Sequence, residues 1–294
     1  MDKITIVSVC DDHYSILLAV LIKSIEINHK TSEPIDYYIV SDNISAKNKR
    51  RIRESVASNM IQLHWIEMTD AVPAGMKLPG DRSTYPMNIY VRLFIPYFLP
   101  ADIEKALYLD VDMLALEDIS ILFNTDLDGK PIAAAVDYVA KKIGSPYGGI
   151  KNYKELGLDP EGKYLNSGLI LIDNNRWRDQ EISEKIINCV SDNKSFADFP
   201  DQYGYNVVLA GRWLELDERW NFFVSAPEER PPFLIHYIHR KPIYKSYPYK
   251  ERYREIFYKY LALTHFKDHK PIGEPLRYIK KLRNVFQKVW VGIS

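Results

Sequence analysis

The fold is decided by residues 3–41, KITIVSVCDDHYSILLAVLIKSIEINHKTSEPIDYYIVS. This stretch is predicted to contain a buried strand, a largely buried helix and a second strand, at Lys3–Cys10, Tyr14–Asn28 and Ile35–Ser41. A charged surface helix at Ser45–Ala57 and a third strand at Ile61–Met68 follow. Strands that alternate with helices at this spacing indicate βαβ crossovers, and therefore a mixed, mainly parallel α/β sheet flanked by helices.

Elements of the same kind continue along the chain. The sequence predicts a helix at Asn88–Leu99, strands at Ala106–Leu109 and Pro131–Val136, and a helix at Arg176–Val190. A further strand containing Leu169–Ile172 is predicted to be introduced by Asn166-Ser167-Gly168. Residues 139–163 are rich in Gly, Lys and Tyr and are predicted to form an excursion or lid. The segment Asp201–Asn221 is predicted to mix turns with aromatic residues.

Composition excludes several classes of protein. The chain has 294 residues, 46% of them hydrophobic, with 39 Lys+Arg balancing 39 Asp+Glu. These values exclude a disordered, collagen-like or coiled-coil chain, and neutrality argues against a nucleic-acid partner. Two cysteines, Cys10 and Cys189, exclude a disulfide framework. The start has no signal-peptide pattern, and the longest apolar run, Ile16–Ile22, is far short of the ~20 residues that span a bilayer. We therefore expect a cytoplasmic protein.

The C-terminal tail differs from the rest of the chain. From Leu276 onward it has five basic residues and no acid, and its apolar residues step by three and four as on one helix face. Such a basic amphipathic helix suits an anionic membrane surface on the inner face of the membrane. The alternative is a terminal helix docked on its own domain with solvated Lys and Arg side chains. The predicted organisation is one domain at 1–250 and a helical region with this tail at 251–294.

Three predicted strands end in acidic residues. Asp11 and Asp12 follow the first strand, Asp110-x-Asp112 follows Ala106–Leu109, and Asp137 follows Pro131–Val136. A carboxylate after a buried strand is costly to desolvate unless a cation or a donor is present. Two carboxylates at i and i+2 suit a hard divalent cation such as Mg²⁺ or Mn²⁺. The alternative for each is an ordinary turn or cap residue.

Two enzyme classes share the Asp-x-Asp pattern. Haloacid-dehalogenase-type phosphatases place it after the first strand, with Thr or Val two residues beyond the second Asp. Here that position is Leu114, and the motif lies after residue 100. Nucleotide-sugar transferases place the pair in mid-chain, where it holds a metal on the diphosphate. Position favours the second class.

Five motifs in order carry a family resemblance. They are Tyr108-Leu109-Asp110-Val111-Asp112, Asn166-Ser167-Gly168, Asp201-Gln202, His236-Tyr237 and Lys241-Pro242. Together with the opening CDDHY, they resemble the family 8 glycosyltransferases over about residues 3–245. Within the family, the pattern is most similar to bacterial lipopolysaccharide and lipooligosaccharide α-glucosyl- and α-galactosyltransferases. The resemblance implies a retaining enzyme with a single Rossmann-like GT-A domain that uses UDP-glucose or UDP-galactose.

The resemblance also implies a metal site and a nucleotide site. Asp110, Asp112 and His236 would bind Mn²⁺ or Mg²⁺. Asp11 would contact the uracil or ribose, with His13 and Tyr14 close by, although the family often has Asn at position 13.

The family's diphosphate loop differs in this chain. It commonly has Gly three residues after the metal histidine and Lys six after it. Here those positions are His239 and Pro242, with Lys241 one residue early, so the phosphate loop is expected to be shortened.

For the donor sugar, the resemblance selects Arg92, Asp137, Asn166, Ser167, Asp201 and Gln202. Gln202 would lie beneath the anomeric carbon, where an amide is a poor nucleophile. This favours a front-face mechanism, in which the leaving phosphate and the acceptor hydroxyl share one side of the sugar. A double displacement would need a carboxylate nucleophile, and Asp201 is the adjacent candidate.

The expected function is transfer of glucose or galactose from a UDP-sugar to a hydroxyl of a cell-surface glycan such as lipopolysaccharide, with a divalent metal. One alternative is a transferase of the same fold that acts on a protein or soluble acceptor. Another is a nucleotide-sugar-binding protein without turnover.

Overall fold

The computed structural model describes residues 3–76, 78–79, 87–273, 275 and 278–279. They form two compact units. The first comprises Met1–Thr69, Leu107–Asp126 and Asp217–Leu276, and the second is built on Asp70–Ala106 and Leu127–Leu216. The predicted tail helix lies outside the described residues, apart from Tyr278 and Ile279.

The first unit begins with the βαβαβ pattern that the sequence predicts. Its opening elements are β1 (Ile4–Asp11), α1 (Ser15–Asn28), β2 (Ile35–Asp42), α2 (Ala46–Ser55) and β3 (Ile61–Glu67). β1 pairs in parallel with β2, and β2 with β3. Strand β1 is almost entirely buried, and α1 is buried along most of its length because apolar residues surround its early turns. The α/β prediction is therefore confirmed at its starting point.

The first unit also contains a small second sheet. Its strands are β5 (Met113–Ala115), β9 (Phe222–Phe223) and β10 (Leu234–His236), ordered β5-β10-β9. The unit also contains the short helix α5 (Ile119–Phe123), the longer α9 (Glu251–Leu261) and 3₁₀ helices at Asp12–Tyr14 and Glu218–Asn221. The short helix α3 (Met68–Ala71) begins in this unit, and its last two residues belong to the second. This sheet brings the chain around residue 236 beside residues 112–113, shortly after the strand at Lys105–Leu109 ends.

The second unit carries the remaining elements. After a 3₁₀ helix at Met87–Phe94 come α4 (Ile95–Phe98), β4 (Lys105–Leu109), β6 (Ile132–Val136), β7 (Leu165–Asp173), α6 (Asn174–Asp179), α7 (Ile182–Asp192), α8 (Pro200–Val208) and β8 (Leu214–Glu215). The last residues of β4 belong to the first unit. Within the described chain, seven strands form one sheet in the order β3-β2-β1-β4-β7-β6-β8. Strand β6 runs antiparallel to β7, so the sheet is mixed and mainly parallel, as predicted.

Three sequence predictions in the second unit are corrected. The helix predicted at Arg176–Val190 is two helices, because Glu181 adopts a left-handed backbone with φ of 51°. Asn166-Ser167-Gly168 does not precede a strand but lies inside β7. The helix predicted at Asn88–Leu99 is mostly 3₁₀, with α4 only at its end.

The fourth correction is the helix α8, in a segment where the sequence predicts turns. Pro200 occupies its first turn and Gly204 its middle, and both residues weaken a helical pattern in the sequence. A Cβ on Gly204 would lie 2.6 Å from Cγ2 of Ile186 and 3.0 Å from Cγ2 of Val190. Glycine therefore allows α8 to pack closely on α7, and this tertiary contact outweighs the weak local propensity.

In the described part of the chain, we find no helix with the length and apolar character that a membrane crossing requires.

Candidate active site

The first unit gathers two acids and a histidine through its strand register. Asp110 and Asp112 follow β4, and the antiparallel pairing of β10 with β5 sets His236 opposite Met113. The backbone N–H of Tyr237 donates to the Asp112 carbonyl at 2.8 Å, which fixes this register next to the acids. One ligand atom from each of Asp110, Asp112 and His236 lies within 4.8 Å of the other two. We call these three residues the Asp-Asp-His cluster.

The histidine of the cluster is oriented by a residue that the sequence analysis misses. Nδ1 of His236 lies 2.8 Å from Oδ1 of Asn221, which is buried at the end of a 3₁₀ helix. Because an amide oxygen only accepts, Nδ1 carries a proton and Nε2 is the nitrogen that faces the cluster, 3.4 Å from Asp112 Oδ1. Metal-bound histidines in proteins are held by such outer hydrogen bonds. No sequence motif marks Asn221, because its role depends on the β9–β10 register.

A lysine places a positive charge beside the cluster. The ammonium of Lys241 contacts Oδ2 of Asp112 and donates to the Tyr237 carbonyl at 2.8 Å. Burial alone would raise the pKa of Asp112, but the Lys241 ammonium and the His236 ring lower this pKa well below its ordinary value. Tyr108 donates its hydroxyl to Oδ1 of Asp110 at 2.6 Å. The donor set of two carboxylates and one oriented imidazole nitrogen fits a divalent cation such as Mn²⁺ or Mg²⁺.

The predicted nucleotide residues lie at the end of β1 in the first unit. Oδ1 of Asp11 accepts the backbone N–H of Tyr14 at 2.9 Å, so this carboxylate also caps the turn into α1. Nε2 of His13 lies 2.8 Å from the hydroxyl of Tyr244. Burial raises the pKa of Tyr14 well above its ordinary value, which keeps its hydroxyl protonated.

The predicted phosphate loop contains a residue with a glycine-like backbone. His239 stands where the resemblance expects glycine, and its φ of 54° lies in the left-handed region that glycine favours. The side chain of His239 is exposed. The backbone at position 239 therefore has a conformation that would suit glycine, although the residue is histidine.

The second unit holds the predicted sugar residues in a hydrogen-bonded group. Oε1 of Gln202 accepts from Nδ2 of Asn166 and from the backbone N–H of Ser167, each at 3.1 Å. Oδ2 of Asp137 accepts from Asn166 at 2.8 Å and from Nε2 of Gln202 at 3.2 Å. We call Asp137, Asn166, Ser167 and Gln202 the Gln202 network.

Further hydrogen bonds fix Asp137 and the helix that carries Gln202. Oδ1 of Asp137 accepts the N–H groups of Val139 and Ala140, both at 2.8 Å, and so caps the turn after β6. Asn206, one turn after Gln202 on α8, binds both backbone groups of Leu165 and fastens the helix to β7. Asn206 carries no signal in the sequence, because the segment Asp201–Asn221 reads as turns and the helix that carries Asn206 depends on packing.

Arg92 and Asp201 form a buried ion pair in the second unit. Nε of Arg92 lies 3.5 Å from Oδ2 of Asp201, and both side chains are 9% exposed. Arg92 also donates to the carbonyls of Ser167 at 2.7 Å and Ile89 at 3.1 Å. The hydroxyl of Ser167 lies 3.3 Å from the same Asp201 oxygen. All six predicted sugar residues are therefore linked by hydrogen bonds or ion pairs within one unit.

Comparison with known proteins identifies the family. The model of the family described as glycosyl transferase family 8 matches residues 5–270. The chain belongs to glycosyltransferase family 8. General stress protein A of Bacillus subtilis is 27% identical over 290 residues, which cover 92% of this chain and 96% of that protein. The lipopolysaccharide 1,2-glucosyltransferase of Escherichia coli is 28% identical over 222 residues, which cover 74% of this chain but only 62% of that enzyme.

Solved structures of other glycosyltransferases share the fold of this family 8 chain. The galactosyltransferase LgtC, solved with donor and acceptor sugar analogues, superposes with a TM-score of 0.72 at 23% identity, covering 89% of this chain and 96% of that one. The bifunctional glycosyltransferase WbbM gives a TM-score of 0.74 at 19% identity, covering 90% of this chain and 50% of that one. These likenesses confirm the predicted GT-A fold.

Proposed function

We propose that this family 8 chain is a retaining hexosyltransferase that moves glucose or galactose from UDP to a hydroxyl group of a glycan, with Mn²⁺ or Mg²⁺. The observation that carries the proposal is the Asp-Asp-His cluster, in which Asn221 directs Nε2 of His236 toward the two carboxylates. Three ligands of this type would hold a divalent cation and leave it able to bind a diphosphate as well. The imidazole ligand favours Mn²⁺ over Mg²⁺.

Asp110, Asp112 and His236 would hold the cation, which when bound supplies Lewis-acid stabilisation of the departing diphosphate. Lys241 places a second positive charge beside the same carboxylate. The largely buried ammonium of Lys241 is paired with the Asp112 carboxylate, so its charge is not left uncompensated. We therefore assign diphosphate binding to Lys241 as well.

The Gln202 network supports a front-face mechanism. The amide oxygen of Gln202 already accepts two N–H groups, which lower its capacity to attack an anomeric carbon. The carboxylate of Asp201 is engaged by Arg92 and Ser167. Since both candidate nucleophiles are held by donors, we propose that the acceptor hydroxyl attacks from the face that the phosphate leaves. The network would orient the sugar hydroxyls during that step.

The test of the donor is a panel of UDP-glucose, UDP-galactose, UDP-N-acetylglucosamine and GDP-mannose, each with Mn²⁺ or with excess EDTA. We expect UDP release from one or both UDP-hexoses, lost in EDTA. The anomeric configuration of the product, read by NMR, should match that of the donor. Phosphate release from a generic phosphate ester without UDP release would contradict the proposal and favour a phosphatase.

The acceptor and the membrane contact are proposed from the tail and from the similarity to the lipopolysaccharide glucosyltransferase. We propose that residues 1–250 form the transferase domain and that the basic tail of region 251–294 brings it to an anionic membrane bearing the acceptor. Deleting residues 276–294 should weaken binding to anionic liposomes and spare hydrolysis of free donor. Undiminished liposome binding would show that the tail has a structural role. Transfer to a soluble or protein acceptor, with none to a glycan, would contradict the proposed acceptor class.

A further inference from the structure

We infer that Tyr244 is a positioning residue for nucleotide recognition that acts through His13. The inference rests on the proposed function, since it concerns how the same site would hold UDP. It starts from the placement of His13, whose imidazole lies on a partly exposed turn directly after β1. A ring on such a turn needs a second point of support to present one fixed edge to a ligand.

Tyr244 provides that support in the structure. Its hydroxyl lies 2.8 Å from Nε2 of His13, and the two ring centroids are 6.1 Å apart. The side chain of Tyr14 is hydrogen-bonded to the same tyrosine. The ring centroids of His13 and Tyr14 lie 4.9 Å apart. A phenolic hydroxyl has one proton and two lone pairs, so it can bond to both partners at once.

The tyrosine itself is held in place from two directions. It is 1% exposed, and its backbone N–H donates to the Lys241 carbonyl at 3.1 Å. On either side of it, Ile272 donates to the carbonyl of Ile243 and accepts from the N–H of Lys245, both at 2.9 Å. The hydroxyl of Tyr244 is therefore held in place, and it orients the less buried side chain of His13.

This arrangement joins two parts of the proposed site within the first unit. Tyr244 follows Lys241, which contacts the Asp-Asp-His cluster, while His13 and Tyr14 follow Asp11 at the end of β1. The His13–Tyr244 bond thus links the turn assigned to the nucleoside with the turn assigned to the diphosphate. Removing one hydroxyl should loosen the nucleoside side without touching a metal ligand.

The experiment uses full-length protein with Mn²⁺ and whichever of UDP-glucose and UDP-galactose the wild type turns over. Losing one or two neutral hydrogen bonds should weaken binding about 5-fold to 20-fold. For Tyr244→Phe we therefore expect KM for the donor and the inhibition constants of UMP and UDP to rise together by that factor. kcat and the Mn²⁺ concentration for half-maximal activity should stay within about twofold of wild type.

A matched control is available three residues away. Tyr247 is also buried, and its hydroxyl has no hydrogen-bond partner in the described part of the chain. Tyr247→Phe should therefore leave KM and the inhibition constants unchanged. Equal effects of the two variants would show a general packing role and overturn the inference.

A double-mutant cycle tests whether Tyr244 acts through His13. In a His13→Asn background only the bond to Tyr14 remains to be lost, so adding Tyr244→Phe should raise KM by a smaller factor than it does in the wild type. The same 5-fold to 20-fold loss in both backgrounds would contradict action through His13. A wild type that binds neither UMP nor UDP would instead refute the proposed function, so the two failures are distinguishable.

Discussion

The Asp-Asp-His cluster of the first unit and the Gln202 network of the second are built on opposite physical plans. The cluster consists of charged ligands whose atoms converge within 4.8 Å, supported by one outer hydrogen bond to His236 and one to Asp110. The network consists of amides, a hydroxyl and a carboxylate that are bonded mainly to one another and to backbone N–H groups.

The contrast teaches how each region should respond to damage. Metal binding by the cluster depends on each of its three ligands, because removing one leaves the remaining charged groups unpaired or repelling one another. A cross-linked network shares its geometry among several bonds, so one deletion shifts the remaining groups but leaves partners for most of them. Variants in the cluster should therefore change metal dependence, and variants in the network should change turnover at unchanged metal affinity.

The largest effect is expected for His236→Ala. Losing a metal ligand removes several kcal/mol of charge stabilisation, which corresponds to a fall in kcat/KM of about 10³-fold or more. The measurement is UDP release across a Mn²⁺ titration. His265→Ala is the control, because the His265 ring is exposed and forms an ion pair with Glu54, away from the cluster residues. Unaltered Mn²⁺ dependence in His236→Ala would exclude the metal assignment.

The next effect is expected for Gln202→Ala, which tests the network. The variant removes the amide that Asn166, Ser167 and Asp137 share, so kcat should fall about 10²-fold through misplacement of the sugar. The Mn²⁺ concentration for half-maximal activity should not change by more than about twofold. A large shift in that concentration would contradict the prediction that network variants change turnover and leave metal affinity unchanged.

A smaller effect is expected for Asn221→Ala, which removes the outer hydrogen bond of His236. Outer-shell partners of this kind typically contribute 10-fold to 100-fold in metal affinity. Activity at low Mn²⁺ should fall by about that factor and recover at saturating Mn²⁺, unlike the loss in His236→Ala. Failure of excess Mn²⁺ to restore kcat would show that Asn221 acts on something other than the ligand's orientation.

The smallest effect is expected for His239→Gly, beside the cluster. A left-handed backbone costs a non-glycine residue about 1 kcal/mol, partly offset by the entropy of glycine in the unfolded chain. The free energy of unfolding in urea should therefore rise by about 0.5 kcal/mol. Arg240→Gly, at a neighbour without a positive φ, should lower it by a similar amount. A stability loss in both variants would show that the His239 side chain contributes more than its backbone costs.

The ligands of the cluster were predictable from the sequence for a physical reason. Asp110 and Asp112 follow a buried strand, where carboxylates need a cation or donors, and this pattern is local. His236 carried no local signal beyond an apolar run and was placed by resemblance. Its partner Asn221 depends on the pairing of β9 with β10, which a single sequence does not reveal.

The sequence identifies the residues of the network through the resemblance, but it does not predict the helix and strand that carry them. Gln202 lies on α8, whose Pro and Gly disguise a helix that α7 stabilises through close packing. Asn166 and Ser167 lie within β7 although their polarity suggests a turn, because their side chains bond to Gln202 and Asp201 instead of to water. In both cases tertiary contacts outweigh local propensity, and such contacts concentrate where polar groups are buried.

The hydrogen bonds around Ile272 have a practical consequence for shortening this protein. Ile272 bridges residues 243 and 245 and stands four residues before the basic tail. A chain that ends at residue 275 keeps the hydrogen bonds of Ile272. A chain that ends at residue 270 loses them, and with them the support of the backbone on either side of Tyr244. The two shortened proteins would therefore differ in nucleotide affinity for reasons unrelated to lipid. Only the longer one tests the contribution of the tail to membrane binding separately.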